Sequence, residues 1–155
     1  MNWTKNRSIL LSKICIFIFA LAGIAVSVYI NVNTEGILRK YTYMADASTV
    51  GYYVLPARAV LYILDILAYT ALYMLYRLLR NIHRSEVFVS ANVGYLRGLS
   101  WCCFTAAFVC LILSFFYLPL IILTAGIAFM ALILRIIKNV FVEAIEIKQE
   151  NEYTI

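Results

Sequence analysis

The sequence predicts an all-α integral membrane protein, a four-helix bundle with its N-terminus and C-terminus cytosolic and its fourth helix extended into the cytosol. Three observations predict it. Of 155 residues, 65% are apolar and only 14% charged, with a mean hydropathy of +0.89. A soluble domain is normally about 45–50% apolar and about 25% charged. Uncharged windows long enough to cross a bilayer recur along the chain, and Lys and Arg are distributed unevenly about them. The first observation alone excludes a soluble globular enzyme, a disordered segment and a disulfide-stapled secreted module. A crossing of about 30 Å takes about 20 apolar residues, so the length allows three or four spans and little else.

The first span is expected at about 10–32. Lys13 and Glu35 bracket the uncharged run ICIFIFALAGIAVSVYINVNT, enough for one crossing. Ala20-Leu21-Ala22 resembles a signal-peptidase site behind the basic Lys5, Arg7 and Lys13. The apolar run before it covers only Ile14–Phe19, however, and hydrophobicity continues to Ile30, so the span reads as uncleaved. The second span is expected at about 53–79. Arg58 and Arg77 stand roughly 28 Å apart along a helix, so both can snorkel to opposite interfaces. Between Arg97 and Arg135 no residue is charged. That window is longer than one crossing needs and scarcely long enough for two with a loop. Leu118-Pro119 divides it, and Pro can begin a helix but not continue one. The expectation is a tight hairpin of spans at about 92–117 and 119–140. An external loop or short interfacial helix is expected over 33–51, and a cytosolic loop over 80–91 with Ser90 placed to cap the third helix. An amphipathic acidic tail over 141–155 completes a single membrane domain.

Orientation follows from the cations. Lys5, Arg7 and Lys13 precede the first span, Arg77, Arg80, Arg84 and Arg97 surround the middle loop, and Arg135, Lys138 and Lys148 follow the fourth span. The opposite side has only Arg39, Lys40 and Arg58. The positive-inside rule then puts both termini in the cytosol of a multi-pass plasma-membrane protein. Tyr29, Tyr41, Tyr43, Tyr52, Tyr53 and Tyr117 gather at the outer face, and Trp3, Tyr73, Tyr76 and Trp101 at the inner one, as aromatic belts require. The same rule accounts for the net charge of +5, so the basic balance does not point to direct nucleic-acid binding.

Asp65 is the most informative single residue. A carboxylate within a span costs on the order of 3 kcal/mol, so it should face the bundle and have a partner. Arg58 lies about 10 Å outward on the same helix face. Ser27, Ser114 and Thr124 fall at broadly similar depth on the other three spans, with Tyr62 and Tyr69 nearby. Together they form a candidate intramembrane polar cluster, either a proton, ion or ligand site or an interhelical clasp. Small residues at packing spacing (Gly23 with Ser27, Gly94 with Gly98, and Ala125, Ala128 and Ala131) suit close helix approach within the bundle or in a homo-oligomer.

In the tail, Ile136, Val140, Ala144 and Ile147 recur at helical spacing beside a second stripe of Ile137, Phe141 and Ile145. Glu143, Glu146, Glu150 and Glu152 oppose a single Lys148. This is either a solvated helix end or a docking surface for a basic cytosolic partner, steered by the glutamates and anchored by Phe141 and Ile145. Cys15, Cys102, Cys103 and Cys110 all lie in apolar runs away from the lone His83, so reduced packing thiols are expected, with no metal site and no cofactor. There is no HExxH, no GxSxG and no phosphate-cradling glycine loop, and no enzyme is expected. Asn2-Trp3-Thr4 matches a glycosylation sequon on what reads as the cytosolic side.

The segments LILRIIKNVFVEAIEIKQENEYTI (Leu132–Ile155) and VFVSANVGYLRGLSWCCF (Val87–Phe104) resemble the YoaS-like family of small bacterial four-span membrane proteins, a domain of unknown function. The resemblance covers most of the chain and is most specific in the pattern KNVFxxAxxIKxENxxTI, with Tyr153 where an aliphatic residue would be expected. It implies frequent encoding beside a Cro/C1-type helix-turn-helix regulator, and no site residues. Three roles are expected. One is a membrane-embedded regulator or sensor that docks such a regulator. The second is a small transporter or ligand-sensing bundle centred on Asp65. The third is a peptide-toxin immunity protein presenting 33–51.

Overall fold

The computed structural model describes residues 3–41 and 47–153, with side chains over 7–40 and 50–151. All regular structure among them is helical: α1 (Trp3–Tyr41), α2 (Ala47–His83), α3 (Ser90–Ser114) and α4 (Leu120–Tyr153). All four are long and apolar enough to cross a membrane.

The helices do not close into a bundle. Among the described residues α1 packs on α2, α2 on α3 and α3 on α4, and no other pair of helices meets. The expected four-helix bundle is therefore an open row. A closed core is not required in lipid, because acyl chains solvate an apolar helix face as well as a neighbouring helix does. Phe17, Ile18 and Val28 on α1, Ile66 on α2, Phe108 on α3 and Ile122 and Phe129 on α4 all remain exposed. The inner helix α3 carries the densest buried stripe, with Val93, Leu96, Ser100, Ala107, Cys110 and Ser114 recurring at helical spacing.

Two glycines mark the tight seams. A Cβ on Gly98 would stand 2.5 Å from the Met74 sulfur, and one on Gly23 would stand 3.1 Å from the Tyr69 hydroxyl. Gly94 faces open space, so the Gly94–Gly98 pair is not a single packing face within this chain. The four cysteines are free thiols, with Cys110 buried.

The segment 33–51, expected as a loop or short interfacial helix, is taken up largely by the end of α1 and the start of α2. α1 continues helically to Tyr41 and α2 is already helical at Ala47. No proline interrupts the end of α1, and its polar residues bond back onto their own helix. Asn33 Nδ2 donates to the Tyr29 carbonyl at 2.8 Å and Thr34 Oγ1 to the Ile30 carbonyl at 2.8 Å. The segment 42–46 of that expected loop, including Tyr43, lies outside the described residues, as do the side chains of Trp3, Tyr41 and Glu152.

The α3–α4 turn covers residues 115–119, longer than the single residue that the expected spans left between the helices, because α3 ends at Ser114. The Phe115 and Phe116 amides close 3₁₀-type bonds to Ile112 and Leu113, and Leu120 does so to Tyr117, with Pro119 immediately before α4. The α2–α3 turn is built differently from expectation. α2 persists to His83, Val89 occupies the cap position of α3, and no side chain caps it, so Ser90 does not serve.

Candidate functional site

The polar residues of α1 and α2 meet along one antiparallel seam. On α2, Arg58, Tyr62, Asp65 and Tyr69 fall at steps of three and four and share a face. On α1, Ala20, Gly23, Ser27 and Asn31 do the same. The Tyr69 hydroxyl donates to the Ala20 carbonyl at 3.2 Å. One step along the seam toward Arg58, Ser27 Oγ lies 2.8 Å from Asp65 Oδ2 and also 2.8 Å from the carbonyl of Gly23. Next along the seam, Asn31 Nδ2 donates to the Tyr62 hydroxyl, and Arg58 Nη2 reaches the Asn31 carbonyl at 3.3 Å. Asp65 thus has a partner on another helix, as its depth demands.

Between these groups lies a cavity of about 40 Å³ lined by Val26, Ser27, Ile30, Asn31, Arg58, Leu61, Tyr62 and Asp65. Arg58 and Asp65 both border it, yet no ion pair joins them among the described residues. Arg58 Nε is buried and has no hydrogen-bond partner. An orphaned buried donor costs about 1–3 kcal/mol, so the site favours whatever satisfies it. The space suits a few water molecules or a very small polar solute with an acceptor for Arg58 and a donor for Asp65.

Of the residues expected to cluster, Ser27, Arg58 and Asp65 converge. Ser114 and Thr124 do not join them. Both are buried, and each bonds within its own helix, Ser114 Oγ to the Leu111 carbonyl at 2.6 Å and Thr124 Oγ1 to the Leu120 carbonyl at 2.9 Å. The reason is the open row: among the described residues α1 touches neither α3 nor α4. Sequence reasoning misses Asn31, although its spacing of four from Ser27 is a usable signal.

At the other end of the row, residues 141–153 of the expected tail continue α4 as helix. Glu143, Glu146 and Glu150 are exposed on α4. Phe141 is half-buried and packs on Phe88, with ring centroids 5.9 Å apart at 45°, and Ile145 is also half-buried. The exposed apolar groups there are Val140 and Ile147 instead. The side chain of Glu152 lies outside the described residues.

A second residue that the sequence does not advertise organises the α2–α3 turn. Asn92 is fully buried. Its Nδ2 donates to the carbonyls of Glu86 at 2.8 Å and Val87 at 2.7 Å, and its Oδ1 accepts from Asn81 Nδ2 at 2.7 Å. One amide group thereby fixes the backbone of the turn to both helices. Within the same turn Ser85 has a left-handed φ of 65°.

A family model described as a protein of unknown function (DUF2975) matches residues 39–155. No curated protein and no solved structure matches the chain.

Proposed function

The chain belongs to the DUF2975 family, whose function is unknown, and we propose that it is a multi-pass plasma-membrane regulator or sensor that docks a cytosolic helix-turn-helix transcription regulator. The observation that carries this reading is the continuation of α4, unbroken, past Arg135 and Lys138 to Tyr153. Its 34 residues give a rod of about 51 Å. That exceeds the hydrocarbon thickness of about 30 Å by several turns.

Exposed Glu143 and Glu146 on this extension set up an acidic field that steers a basic partner. Val140 and Ile147 offer apolar contact, and the Phe88–Phe141 pair holds the rod against the start of α3. The Lys and Arg distribution, with both termini inside, supports a cytosolic extension. The resemblance to YoaS-like proteins, often encoded beside a Cro/C1-type regulator, supplies the candidate partner. In this reading the protein itself binds no nucleic acid and performs no catalysis.

The test is recovery of a Cro/C1-type helix-turn-helix regulator on the full chain, compared with a chain lacking Ala144–Ile155 and with Glu143→Lys/Glu146→Lys. Loss of recovery in both supports docking, and unchanged recovery in either overturns it. A reporter enzyme active only outside the cell, fused after Ile155, should stay silent.

A second reading, a small transporter or ligand-sensing protein centred on Asp65, is favoured by the Ser27–Asp65 bond and the cavity shared with Arg58. Asp65→Asn should abolish flux or response while leaving abundance unchanged. A fall in abundance with no such loss assigns Asp65 to packing.

A further inference from the structure

α3 and α4 are pinned together where the Ser100 hydroxyl donates to the carbonyl of Ala131 at 2.9 Å, with Ala131 wholly buried. Beside that contact, on the side toward the α2–α3 turn, α3 and α4 border a cleft of about 260 Å³. It is lined by Arg97, Ser100, Trp101, Arg135 and Lys138. Arg97, Ser100 and Trp101 occupy one face of α3, and Arg135 and Lys138 one face of α4.

Three cations converge here and none makes an ion pair or hydrogen bond among the described residues. α3 has no acidic residue at all, and α4 has none before Glu143. Like charges on facing helices repel, and the low-dielectric edge of a bilayer strengthens that repulsion. The arrangement becomes favourable once an anion enters.

The depth of the cleft narrows the choice of anion. Arg97 and Arg135 bound the uncharged window of the third and fourth spans, so the cleft sits at the edge of the hydrocarbon. Its wall includes the exposed indole of Trp101, a residue typical of the headgroup level. One turn inward on α4 and two turns inward on α3, Leu132 and Phe108 are exposed. They present an apolar path running from the cations into the bilayer. A soluble anion would use the cations alone, whereas a phospholipid uses the cations, the indole and the apolar path together.

We infer that the Arg97–Trp101–Arg135–Lys138 cleft binds the phosphate headgroup of an anionic phospholipid, with its acyl chains lying along the exposed apolar faces of α3 and α4. Arg97 and Arg135 suit paired hydrogen bonds to phosphate oxygens, and Lys138 supplies a point charge. The site is separate from the α4 glutamates and does not depend on any docking partner.

Trp101 provides the probe, because Trp3 is the only other tryptophan. The Trp3→Phe chain is reconstituted in phosphatidylcholine vesicles containing either brominated phosphatidylglycerol or brominated phosphatidylcholine, and quenching of Trp101 fluorescence is measured against mole fraction. Binding predicts half-maximal quenching at about five-fold lower mole fraction of the brominated phosphatidylglycerol, a preference of the size basic residues confer at an anionic surface. Arg97→Gln/Arg135→Gln/Lys138→Gln should bring the two lipids level, and Arg135→Gln or Lys138→Gln alone should reduce the difference. Equal quenching by the two lipids in the Trp3→Phe chain overturns the inference, and so does an undiminished preference in these variants. Relief of quenching by millimolar inorganic phosphate, and not by chloride at equal ionic strength, would assign the cleft to a soluble anion and overturn the lipid.

Discussion

Ser27 on α1 and Asp65 on α2 are joined by a 2.8 Å hydrogen bond between two helices that are consecutive in the chain. The same hydroxyl lies 2.8 Å from the carbonyl of Gly23, so it bridges its own helix and its neighbour. Interhelical bonds of this kind in membranes average about 0.6 kcal/mol and reach about 1.7 kcal/mol, because the separated helices find other partners. Ser27→Ala is expected to lower stability within that range in a reversible detergent unfolding titration. A much larger loss would mean that Asp65 has no alternative donor.

The Gly23–Tyr69 contact gives a coupled prediction. A methyl at Gly23 meets the Tyr69 hydroxyl at 3.1 Å and pushes on the bond from that hydroxyl to Ala20. Gly23→Ala should destabilise in the wild-type background and be better tolerated in Tyr69→Phe. A double-mutant cycle should return a coupling of about 0.5–3 kcal/mol, as for other residues in contact. Additive effects would show that α1 shifts to make room.

Asn92→Ala removes three side-chain hydrogen bonds at a fully buried position. Leaving the Glu86 and Val87 carbonyls and the Asn81 amide without this partner should cost about 1–3 kcal/mol, tempered by water reaching the turn. Limited proteolysis is the direct readout, with faster cleavage between His83 and Ser90 expected in the variant.

Phe88 and Phe141 hold the α4 extension against the start of α3. A Phe88→Ala and Phe141→Ala cycle should give about 0.5–1.5 kcal/mol of coupling, the usual range for an aromatic pair. Glu143→Lys/Glu146→Lys should leave the unfolding midpoint within about 0.5 kcal/mol of wild type, since both side chains are exposed. The two sets of variants therefore separate the stiffness of the rod from the charge it displays.

Much of the architecture is legible in the residues. Charge-free windows locate four helices, Pro119 locates the tight turn, and Arg58, Asp65 and Ser27 can be aligned by counting turns. What escapes is which helices touch. α1 is apolar over most of its circumference, with Phe17, Ile18, Phe19 and Leu21 all exposed, so no stripe marks its neighbour and periodicity cannot exclude α3 or α4. Depth alone groups Ser114 and Thr124 with Asp65, and depth does not specify the helix across the gap. Phe141 reads as a partner contact because its covering residue, Phe88, lies in an irregular segment with no periodic signal. Asn92 hides for a related reason: its importance rests on the carbonyls of Glu86 and Val87, and backbone groups leave no trace in the identities of side chains.

The open row also bears on how the chain is made. Every helix–helix contact among the described residues joins segments that leave the ribosome one after the other. α1 and α2 can settle as a hairpin before α3 has been synthesised, and α4 meets a surface already in place. Each helix pairs with the one made just before it, a contact order that permits closure in the order of synthesis. Chains truncated after His83 should still insert and retain the Ala20–Tyr69 and Ser27–Asp65 bonds, because the first seam owes nothing to α3 or α4.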